Sequence, residues 1–498
     1  MSSVVAAPFP AHARDRPHRR GTALYGLLGF LAGLPFYMFS TVLALRLQAH
    51  GVALAVIGFF AWVQLLPTLK FVWAPLLDRY AVPGFGRFWG KRRGWIMLAQ
   101  LGIVSSMAAM AFTGGDALAV TALFALLLAF WTTTLEIAAD AWRIELYPTQ
   151  DEQGPIVAAN LWGYRSAMVA AGSGALLLAD GGGWTLAYLA IAAAAFLPFP
   201  ILAAMRPTEG AGGGRGAALA AGLLASAAIL LGATAATAAV GAVALALAGF
   251  AGIDAGANVT PWVLGLCMLP FLAMAAMLPR IRRAPDDAPI RRSAAIGPYV
   301  DFFWRYGFGA IVLMAFVSLY RMGDVLALNL SKPMIKGLGY SLTDIGRADG
   351  PVALAASVAG VGLGGWLVTR WRMGWALAVG AMTAAIGNFG FVWLAQQQVA
   401  EPALYLATAL DQFGNGLAGA VFVVYLSLLV NPRHPGAQYA FLTGFAFLLP
   451  RLLAGAGGTL VDVIGYDGFF LLSGALSLAA LPFLPVLARI RPREEERS

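Results

Sequence analysis

Residues 69–95 read LKFVWAPLLDRYAVPGFGRFWGKRRGW, and this stretch shows a pattern that recurs along the chain. An apolar segment ends near Leu77, a basic loop follows, and a second apolar segment begins at Trp95. The basic residues of the loop are Arg79, Arg87, Lys91, Arg92 and Arg93. Short loops rich in Lys and Arg between apolar segments mark the cytoplasmic side of membrane proteins. The stretch therefore predicts two membrane-spanning helices joined on that side.

The composition of the whole chain supports this interpretation. Of its 498 residues, 60% are hydrophobic and only 11% are charged, and the mean hydropathy is +0.76. A soluble domain has about 25% charged residues. Apolar runs of roughly 18 residues or more recur, and each is long enough to cross a hydrocarbon core about 30 Å thick. We therefore expect an all-α, multi-pass membrane protein.

The apolar runs predict fourteen spans in three groups. The first half contains spans at 22–48, 53–76, 95–113, 117–147, 154–179 and 184–205. Two extra spans follow at 217–250 and 259–279. The second half contains spans at 306–331, 344–369, 374–395, 402–430, 438–460 and 468–488. The expected divisions are thus a tail (1–21), a six-helix half (22–206), an insert (207–297), a second six-helix half (298–488) and a tail (489–498).

The basic residues predict the orientation of these spans. They recur after every second span, whereas the intervening loops 251–258 and 396–402 hold almost none, although Lys332 and Lys336 are exceptions. This alternation places both termini in the cytoplasm and requires an even number of spans in the insert. The run 22–47 is too long for a signal peptide and is expected to be retained.

The charge and the metal-binding residue types exclude several functions. The net charge of +9 comes from short loops between spans, so it does not predict binding to nucleic acid. Cys267 is the only cysteine, and the histidines lie in tails or at helix ends. We therefore expect no metal site and no cofactor.

Eight ionisable residues are predicted to lie well inside the spans. They are Lys70, Glu136, Asp140 and Arg165 in the first half, and Arg321, Asp324, Asp411 and Arg451 in the second. A charge at the bilayer centre costs about 2.5–3.5 kcal/mol on insertion scales, so such residues face a bundle interior or a water-filled cavity. The first, second, fourth and fifth spans of each half are therefore expected to line an interior, while the third and sixth face lipid.

A purely structural role for these charges is the alternative. Asp140 and Arg143 are three residues apart, as are Arg321 and Asp324, so each pair shares a helix face and can form an ion pair. A bundle without a pathway would use apolar residues at a lower cost, so all eight charges together favour a transport pathway.

Several segments resemble the AmpG-like muropeptide permeases of the major facilitator superfamily and their acetyl-CoA-transporter-like relatives. The segments in the first half are GFLAGLP (29–35), LKFVWAPLLDR (69–79), KRRGW (91–95), EIAADAWRIE (136–145) and GYR (163–165). Those in the second half are LYRMGD (319–324), AQYAFL (437–442) and the buried Arg451. The resemblance implies the major-facilitator fold in a bacterial inner membrane. It also implies proton-driven import of GlcNAc–anhydroMurNAc and its peptides for cell-wall recycling.

Two departures from the family pattern leave the cargo open. The extra spans lie between the halves, and Asp411-Gln412 stands where an acid–amide pair such as Glu-Asn is expected. A siderophore or an acyl-CoA is therefore an alternative cargo. A membrane sensor that binds without transport is a second alternative. A membrane enzyme is disfavoured because the chain lacks a recognisable nucleophile, Cys/His or phosphate-binding motif.

Alternating access between the halves assigns roles to individual residues. Expected cargo-binding residues are Lys70, Arg165, Arg321, Arg451 and Gln412, with Phe36, Tyr37, Trp162, Tyr164 and Tyr320 stacking on sugar rings. The candidates for carrying the proton are Glu136, Asp140, Asp324 and Asp411, of which the first two are favoured because they lie four residues apart on one helix face. Asp78, Arg79, Arg92 and Arg93 are expected to form a cytoplasmic gate. The protein is expected to act as a monomer, with an amino-sugar peptide, protons and lipid as its partners.

Overall fold

The computed structural model describes residues 16–52, 61–113, 117–205, 220, 276–285, 288–293, 295–454 and 457–493. Within these residues the protein is almost entirely helical. The two extra spans expected at 217–250 and 259–279 lie outside the described residues, apart from residues 220 and 276–279. Cys267 and residues 53–60 of the second expected span also lie outside them.

Among the described residues, the first half contains six spanning segments, which we number spans 1 to 6. Span 1 is Arg16–Phe39 with Thr41–Ala49, span 2 is Ala61–Val72 with Ala74–Arg79, span 3 is Lys91–Ala111, and span 4 is Leu118–Leu146. Spans 5 and 6 are Gln150–Val169, Ala170–Gly174, Ala175–Phe196 and Pro198–Ala204, which form one helical run divided at Gly183. A short helix, Phe85–Trp89, lies between spans 2 and 3.

The second half also contains six spanning segments among the described residues, spans 7 to 12. Span 7 is Phe308–Gly337, span 8 is Leu342–Arg347, Ala348–Val352 and Ala353–Arg370, span 9 is Met373–Ala395, and span 10 is Glu401–Leu429. Spans 11 and 12 are Pro435–Ala454, Gly457–Leu478, Leu481–Phe483 and Leu484–Leu487, divided at Gly465. The helices Pro289–Arg292 and Gly297–Tyr306 precede span 7.

Proline and glycine explain the irregular parts of these spans. Span 2 is a 3-10 helix through Pro67 and resumes as an α-helix at Ala74, just before Pro75. Pro lacks the backbone N–H that a regular helix needs at these positions. Gly183 and Gly465 have φ values of 82° and 72°, a region that favours glycine, and each allows the chain to turn between two spans.

The surface and packing are those of a membrane protein. Nine helical stretches in the described part of the chain are long and apolar enough to cross a membrane, and one of them, Gln150–Ala204, contains both span 5 and span 6. Large apolar side chains are exposed on the outside, including Val463 at 81%, Leu177 at 75% and Phe112 at 74%. An outer surface with so many large apolar side chains is typical of a protein that faces lipid.

The two halves meet mainly along two pairs of spans, with smaller contacts of span 4 with span 11 and of span 5 with span 10. Span 5 packs against span 8, and span 2 packs against span 11, whereas spans 3, 6, 9 and 12 have their main contacts within their own half. Gly154 and Gly365 allow the closest approach of spans 5 and 8, because a Cβ atom on Gly365 would lie 2.9 Å from the Gly154 carbonyl oxygen. Ala437 and Ala440 of span 11 belong to the apolar core of the first half.

The helix bundle has two ends, which we call the Asp78 end and the Lys332 end after a residue at each. The Asp78 end carries the turns after spans 2, 4, 8 and 10, and Gln150 there donates hydrogen bonds to the carbonyl oxygens of Val368 and Trp371. The Lys332 end carries the turns after spans 1, 7 and 9. A 30-residue helix such as span 7 runs about 45 Å from one end to the other.

Candidate functional site

A cavity of about 400 Å³ lies between the two halves towards the Lys332 end. Spans 1, 5, 7, 8 and 10 line it, and Phe391 of span 9, a span expected to face lipid, also contributes. We call it the central cavity. Its polar lining residues are Tyr37, Arg165, Ser173, Ser331, Lys332, Asp349, Ser357, Thr408, Asp411 and Gln412. The cavity therefore offers charges of both signs, together with hydroxyl and amide groups.

The charged residues of the central cavity come from both halves. Arg165 lies on span 5, whereas Asp411 and Gln412 lie on span 10, where the Gln412 amide donates a 2.9 Å hydrogen bond to the Asp411 carboxylate. Lys332 and Asp349 form a 2.6 Å ion pair, and their side chains are 57% and 44% exposed. Because this pair is solvated, the cavity reaches the surface at the Lys332 end.

A second cavity of about 170 Å³ lies nearer the Asp78 end, and we call it the Glu136 cavity. Its polar lining residues are Glu136, Asp140, Arg143, Asn160, Tyr164 and Tyr439. The first five lie on spans 4 and 5, and Tyr439 lies on span 11. This cavity too is formed by both halves.

Both carboxylates of the Glu136 cavity have a basic partner. The Lys70 ammonium of span 2 lies 3.7 Å from Glu136, and the Arg143 guanidinium lies 3.0 Å from Asp140. Arg143 also donates to Gln153 at 2.5 Å and to Ser427 of span 10 at 2.9 Å. The buried Arg143 thus joins a candidate proton-carrying acid to the opposite half.

Arg143, Lys332 and Asp349 were not among the site residues predicted from the sequence. The spacing from Asp140 to Arg143 was a signal for the first of them. Lys332 follows the expected span 306–331 and Asp349 lies near the start of the expected span 344–369, so neither counted as well inside a span.

Arg321, Asp324 and Arg451 form a third group around Phe447. Arg321 donates a 2.7 Å hydrogen bond to Asp324 on the next turn of span 7. The Arg321 and Arg451 guanidinium carbons lie 5.7 and 5.6 Å from the centre of the Phe447 ring, so the ring contacts two cations. Arg451 also donates to the Thr68 hydroxyl at 2.6 Å and so joins span 11 to span 2.

The candidate aromatic residues occupy two kinds of position. Tyr37 lines the central cavity, and Tyr164 lines the Glu136 cavity beside Phe36, with ring centres 6.5 Å apart. Trp162 instead donates a 2.9 Å hydrogen bond to the Val358 carbonyl oxygen in the packing of span 5 against span 8.

Tyr320 is only 1% exposed and stacks on Phe422 within the second half, at a ring-centre distance of 5.3 Å. Tyr320 is thus part of the helix packing, whereas Trp162 is 40% exposed beside span 8, and neither residue lines either cavity.

The expected gate residue Asp78 joins the two halves at the Asp78 end. Its carboxylate accepts hydrogen bonds from the Gly436 and Ala437 backbone amides, at 3.1 and 2.7 Å, in the first turn of span 11. The same carboxylate lies 2.8 Å from the Arg92 guanidinium, which also contacts Glu145 at 2.6 Å. A negative charge is stabilised at a helix N-terminus. This contact closes the gap between spans 2 and 11 at that end.

Two of the other expected gate residues, Arg92 and Arg93, lie in a helix and not in the loop where they were predicted. Arg92 and Arg93 are not loop residues but belong to the first turn of span 3, which begins at Lys91, and their exposure is only 1% and 2%. Arg93 donates to the carbonyl oxygens of Trp89, Leu202 and Met205, all in the first half. Hydrogen bonds and ion pairs compensate their burial, so the helix begins four residues earlier than expected. Arg79 is exposed beside Tyr80.

No group of three or more His, Cys, Asp or Glu side chains suited to a metal ion occurs among the described residues. The two cavities are lined by charged groups, hydroxyls, amides and aromatic rings.

Comparisons with known proteins identify similar transporters. A putative transporter, AmpG 4, of Rickettsia conorii is 26% identical over 93% of this chain and 95% of its own length. The anhydromuropeptide permease of Escherichia coli K12 is 26% identical over 93% of this chain and 79% of its own length. No protein-family model matches the chain.

The similar solved structures are also transporters. The proton:xylose symporter XylE, a major facilitator superfamily protein, superposes with a TM-score of 0.62 at 15% identity and covers 95% of this chain and 96% of its own. The human organic anion transporter MFSD10 gives a TM-score of 0.59 at 16% identity and covers 94% of this chain and all of its own. The fold is that of the major facilitator superfamily, and the relatives named here are permeases and transporters, not enzymes.

Proposed function

We propose that this multi-pass membrane protein, which has the major-facilitator fold and AmpG-type relatives, imports anhydromuropeptides into the bacterial cytoplasm. The anhydromuropeptide permease that it resembles over 93% of its length supports this cargo class. The proposed driving force is a proton gradient, and the proposed mechanism is alternating access of the central cavity to the two sides of the membrane.

The central cavity is the observation that carries this proposal. It reaches the surface beside Lys332 and Asp349, while Asp78 closes the other end against span 11. If the Asp78 end is cytoplasmic, as the basic loops predict, the structure corresponds to an outward-facing state. A solute from outside enters the cavity first and leaves only after the Asp78 contact breaks.

The polar groups of the cavity suit an amino-sugar peptide. Such a cargo carries peptide carboxylates, an ammonium group and many hydroxyls. In this proposal Arg165 receives a carboxylate, because a guanidinium donates two parallel hydrogen bonds to it. Asp411 with Gln412 receives ammonium and hydroxyl groups, and the Tyr37 ring packs against a sugar.

Lys70, Arg321 and Arg451 do not line the central cavity, so their proposed contact with cargo belongs to a later step. Lys70, Arg321 and Arg451 lie on spans 2, 7 and 11, respectively. These spans must move if the Asp78 end opens.

Uptake into proteoliposomes tests the proposed cargo and the role of Arg165. The substrate is radiolabelled GlcNAc–anhydroMurNAc-tripeptide, and the competitors are unlabelled muropeptide, a hydroxamate siderophore and acetyl-CoA. We expect only the muropeptide to compete, and we expect Arg165→Gln to reduce uptake about tenfold or more through loss of charge-assisted hydrogen bonds. The exposed Arg370, at the Asp78 end, provides the control Arg370→Gln.

The competitors decide between the alternatives. If only the siderophore or only acetyl-CoA competes, that compound and not the muropeptide is the cargo. Saturable binding of muropeptide without any uptake would instead identify a sensor. Equal uptake by the Arg165 and Arg370 variants would remove Arg165 from the binding site.

Proton coupling is assigned to Glu136 and Asp140. Each contacts a cation, so a proton on either acid would free Lys70 or Arg143 and change a contact between spans. In the same proteoliposomes we expect Glu136→Gln and Asp140→Asn to reduce accumulation driven by a pH gradient while exchange of internal and external cargo continues. Full gradient-driven accumulation by both variants would transfer the role to Asp324 or Asp411.

A further inference from the structure

The ion pair at the opening of the central cavity has no assigned role in binding. Lys332 of span 7 and Asp349 of span 8 line the cavity where it reaches the surface, and we call them the mouth pair. Lys332 is also one of two basic residues that break the alternation of basic loops along the chain. Membrane orientation therefore does not account for a lysine at this end of the bundle, and its position in the cavity indicates another use.

The mouth pair can separate at little cost. The Lys332 Nζ and Asp349 Oδ2 atoms are 2.6 Å apart, but both side chains are exposed. Water screens an ion pair of this kind, so the pair contributes little to stability. The Arg321–Asp324 pair is different, because it is buried and its separation would leave two buried charges without partners. The mouth pair is therefore able to exchange its partners for those of a solute.

The helices around the mouth pair are irregular. Asp349 lies in the π-helical turn Ala348–Val352 of span 8. The π-helical turn Ala170–Gly174 of span 5 lines the same cavity through Gly172 and Ser173. These are the two π-helical turns in the described part of the chain, and both border this cavity. Such turns are rare and are frequent at functional sites, so their position favours a binding role for this part of the cavity.

A pair of opposite charges selects a solute that carries both charges. An ammonium and a carboxylate held close together can replace each member of the pair, so that all four charges keep a partner. A simple anion would instead bind Lys332 beside the Asp349 carboxylate, and like charges placed together oppose binding. A neutral sugar forms no ion pair and only weaker hydrogen bonds. The mouth pair thus favours a zwitterionic group.

We propose that the mouth pair is an entry subsite that binds the zwitterionic end of a peptide on the cargo. Lys332 exchanges Asp349 for the cargo carboxylate, and Asp349 exchanges Lys332 for the cargo ammonium. The cargo then moves on to Arg165 and Asp411, which line the same cavity and are less exposed. This inference rests on the proposed function and adds that the peptide, not the sugar, is captured first.

An entry subsite affects the capture of the cargo more than the later steps of transport. Charges at the rim of a binding site mainly change the association rate. The cargo has left the mouth pair before the Asp78 end opens. Loss of the pair should therefore raise KM and leave kcat unchanged.

The test compares two double variants of the full-length protein in the proteoliposome uptake assay. Lys332→Gln/Asp349→Asn, the mouth variant, removes the pair without leaving a single charge. The control, Arg347→Gln/Glu401→Gln, removes an ion pair at the same end that does not line the cavity. The control side chains are 59% and 47% exposed, against 57% and 44% for the mouth pair, so both variants are expected to fold.

Two cargoes are offered to each protein. The first is GlcNAc–anhydroMurNAc-tripeptide that ends in diaminopimelate, whose distal carbon carries both an ammonium and a carboxylate group. The second is the same disaccharide without a peptide. In the mouth variant we expect KM for the tripeptide to rise about fivefold or more relative to KM for the disaccharide, the effect of losing two partly exposed charge pairs. The control should keep the wild-type ratio.

A chemically blocked cargo separates recognition from a structural role. Acetylation of the ammonium leaves the tripeptide with carboxylates alone, which in the wild type must displace Asp349 from Lys332. We expect acetylation to raise KM less in Asp349→Asn than in the wild type, because Lys332 no longer holds that carboxylate. A pair that only joins spans 7 and 8 would give the same effect of acetylation in both proteins, and that result would contradict the proposal.

The outcomes distinguish this inference from the proposed function. If the wild type takes up neither cargo, the proposed function fails and the inference fails with it. If the wild type takes up both cargoes but the mouth variant and the control have the same ratio of KM values, only the inference fails. An equal rise of KM for both cargoes in the mouth variant would also overturn it, since the pair would then affect the opening of the cavity and not the peptide.

Discussion

Arg143 makes more connections than the other charged residues of the Glu136 cavity. Its side chain is 1% exposed and contacts Asp140, Gln153 and Ser427, and its guanidinium lies 5.4 Å from the centre of the Tyr439 ring. Ser427 and Tyr439 belong to the second half. A single buried guanidinium therefore satisfies groups on spans 4 and 5 and holds the second half against them.

Replacing Arg143 with methionine is expected to destabilise the protein strongly. The change leaves the Asp140 carboxylate, which is 24% exposed, without its cation, and breaking a fully buried pair sets an upper limit of about 3–5 kcal/mol on the cost. We expect a clear fall in the thermal unfolding temperature of purified Arg143→Met, whereas the exposed control Arg370→Met should unfold like the wild type.

Asp140→Asn/Arg143→Met should recover part of the loss, because the uncompensated charge is then absent. Equal unfolding temperatures for Arg143→Met and Arg370→Met would show that the Arg143 contacts contribute little to stability.

Glycines determine how closely whole helices approach each other. An alanine at Gly365 would place its Cβ atom 2.9 Å from both the Ala158 Cβ atom and the Gly154 carbonyl oxygen. The second of these atoms is backbone, so spans 5 and 8 must move apart. We expect Gly365→Ala to destabilise the protein by about 1–3 kcal/mol, the usual cost of overpacking, as measured by thermal unfolding.

Gly419 provides the matched control, since it lies in span 10 and has no atom within 4 Å of a Cβ built on it. Gly419→Ala should be as stable as the wild type. If both variants unfold at the wild-type temperature, the two spans are not held at their closest possible distance.

Long uninterrupted apolar runs were predicted well from the sequence. The expected spans 117–147, 374–395 and 402–430 agree within one residue at each end with the helices Leu118–Leu146, Met373–Ala395 and Glu401–Leu429. Where the apolar pattern is interrupted, local chemistry decides the boundary. Charge suggested a loop at 91–93, but the partners of Arg92 and Arg93, distant in sequence, allow a helix there.

The internal repeat is clearer in the backbone than in the sequence. Gly183 and Gly465 separate the fifth and sixth spans of their respective halves, with (φ, ψ) of (82°, 167°) and (72°, 172°). A repeated backbone conformation needs the same residue at one position, which is too little for a sequence pattern to show.

The candidate site was predictable where its contacts are local. The pairs Asp140–Arg143 and Arg321–Asp324 follow from helical spacing, and the structure shows both. Lys70–Glu136 and Arg451–Thr68 depend on how separate spans pack, and the second of these contacts joins the two halves. Contacts of this kind follow from the packing of the whole molecule, which no single segment encodes.

The Asp78 contact is expected to control which side of the membrane the molecule opens to. Its carboxylate joins span 2 to the first turn of span 11, and Asn in its place lacks the negative charge that strengthens hydrogen bonds to the Gly436 and Ala437 amides. Losing about 1.5 kcal/mol from such charge-assisted bonds raises the population open at the Asp78 end about tenfold.

A cysteine in the Glu136 cavity can report this shift. In a Cys267→Ser background, Ala139→Cys places a thiol in the lining of that cavity, where Ala139 is only 7% exposed. A membrane-impermeant maleimide is added from the Asp78 side of vesicles. We expect Asp78→Asn to label about tenfold faster than the parent, in keeping with the shift in population. Arg372→Gln, an exposed change at the same end, should label like the parent.

Cargo binding from the other side should be retained by Asp78→Asn, because Asp78 lies outside the central cavity. An unchanged labelling rate would mean that other contacts, such as those between spans 5 and 8, keep this end closed without Asp78.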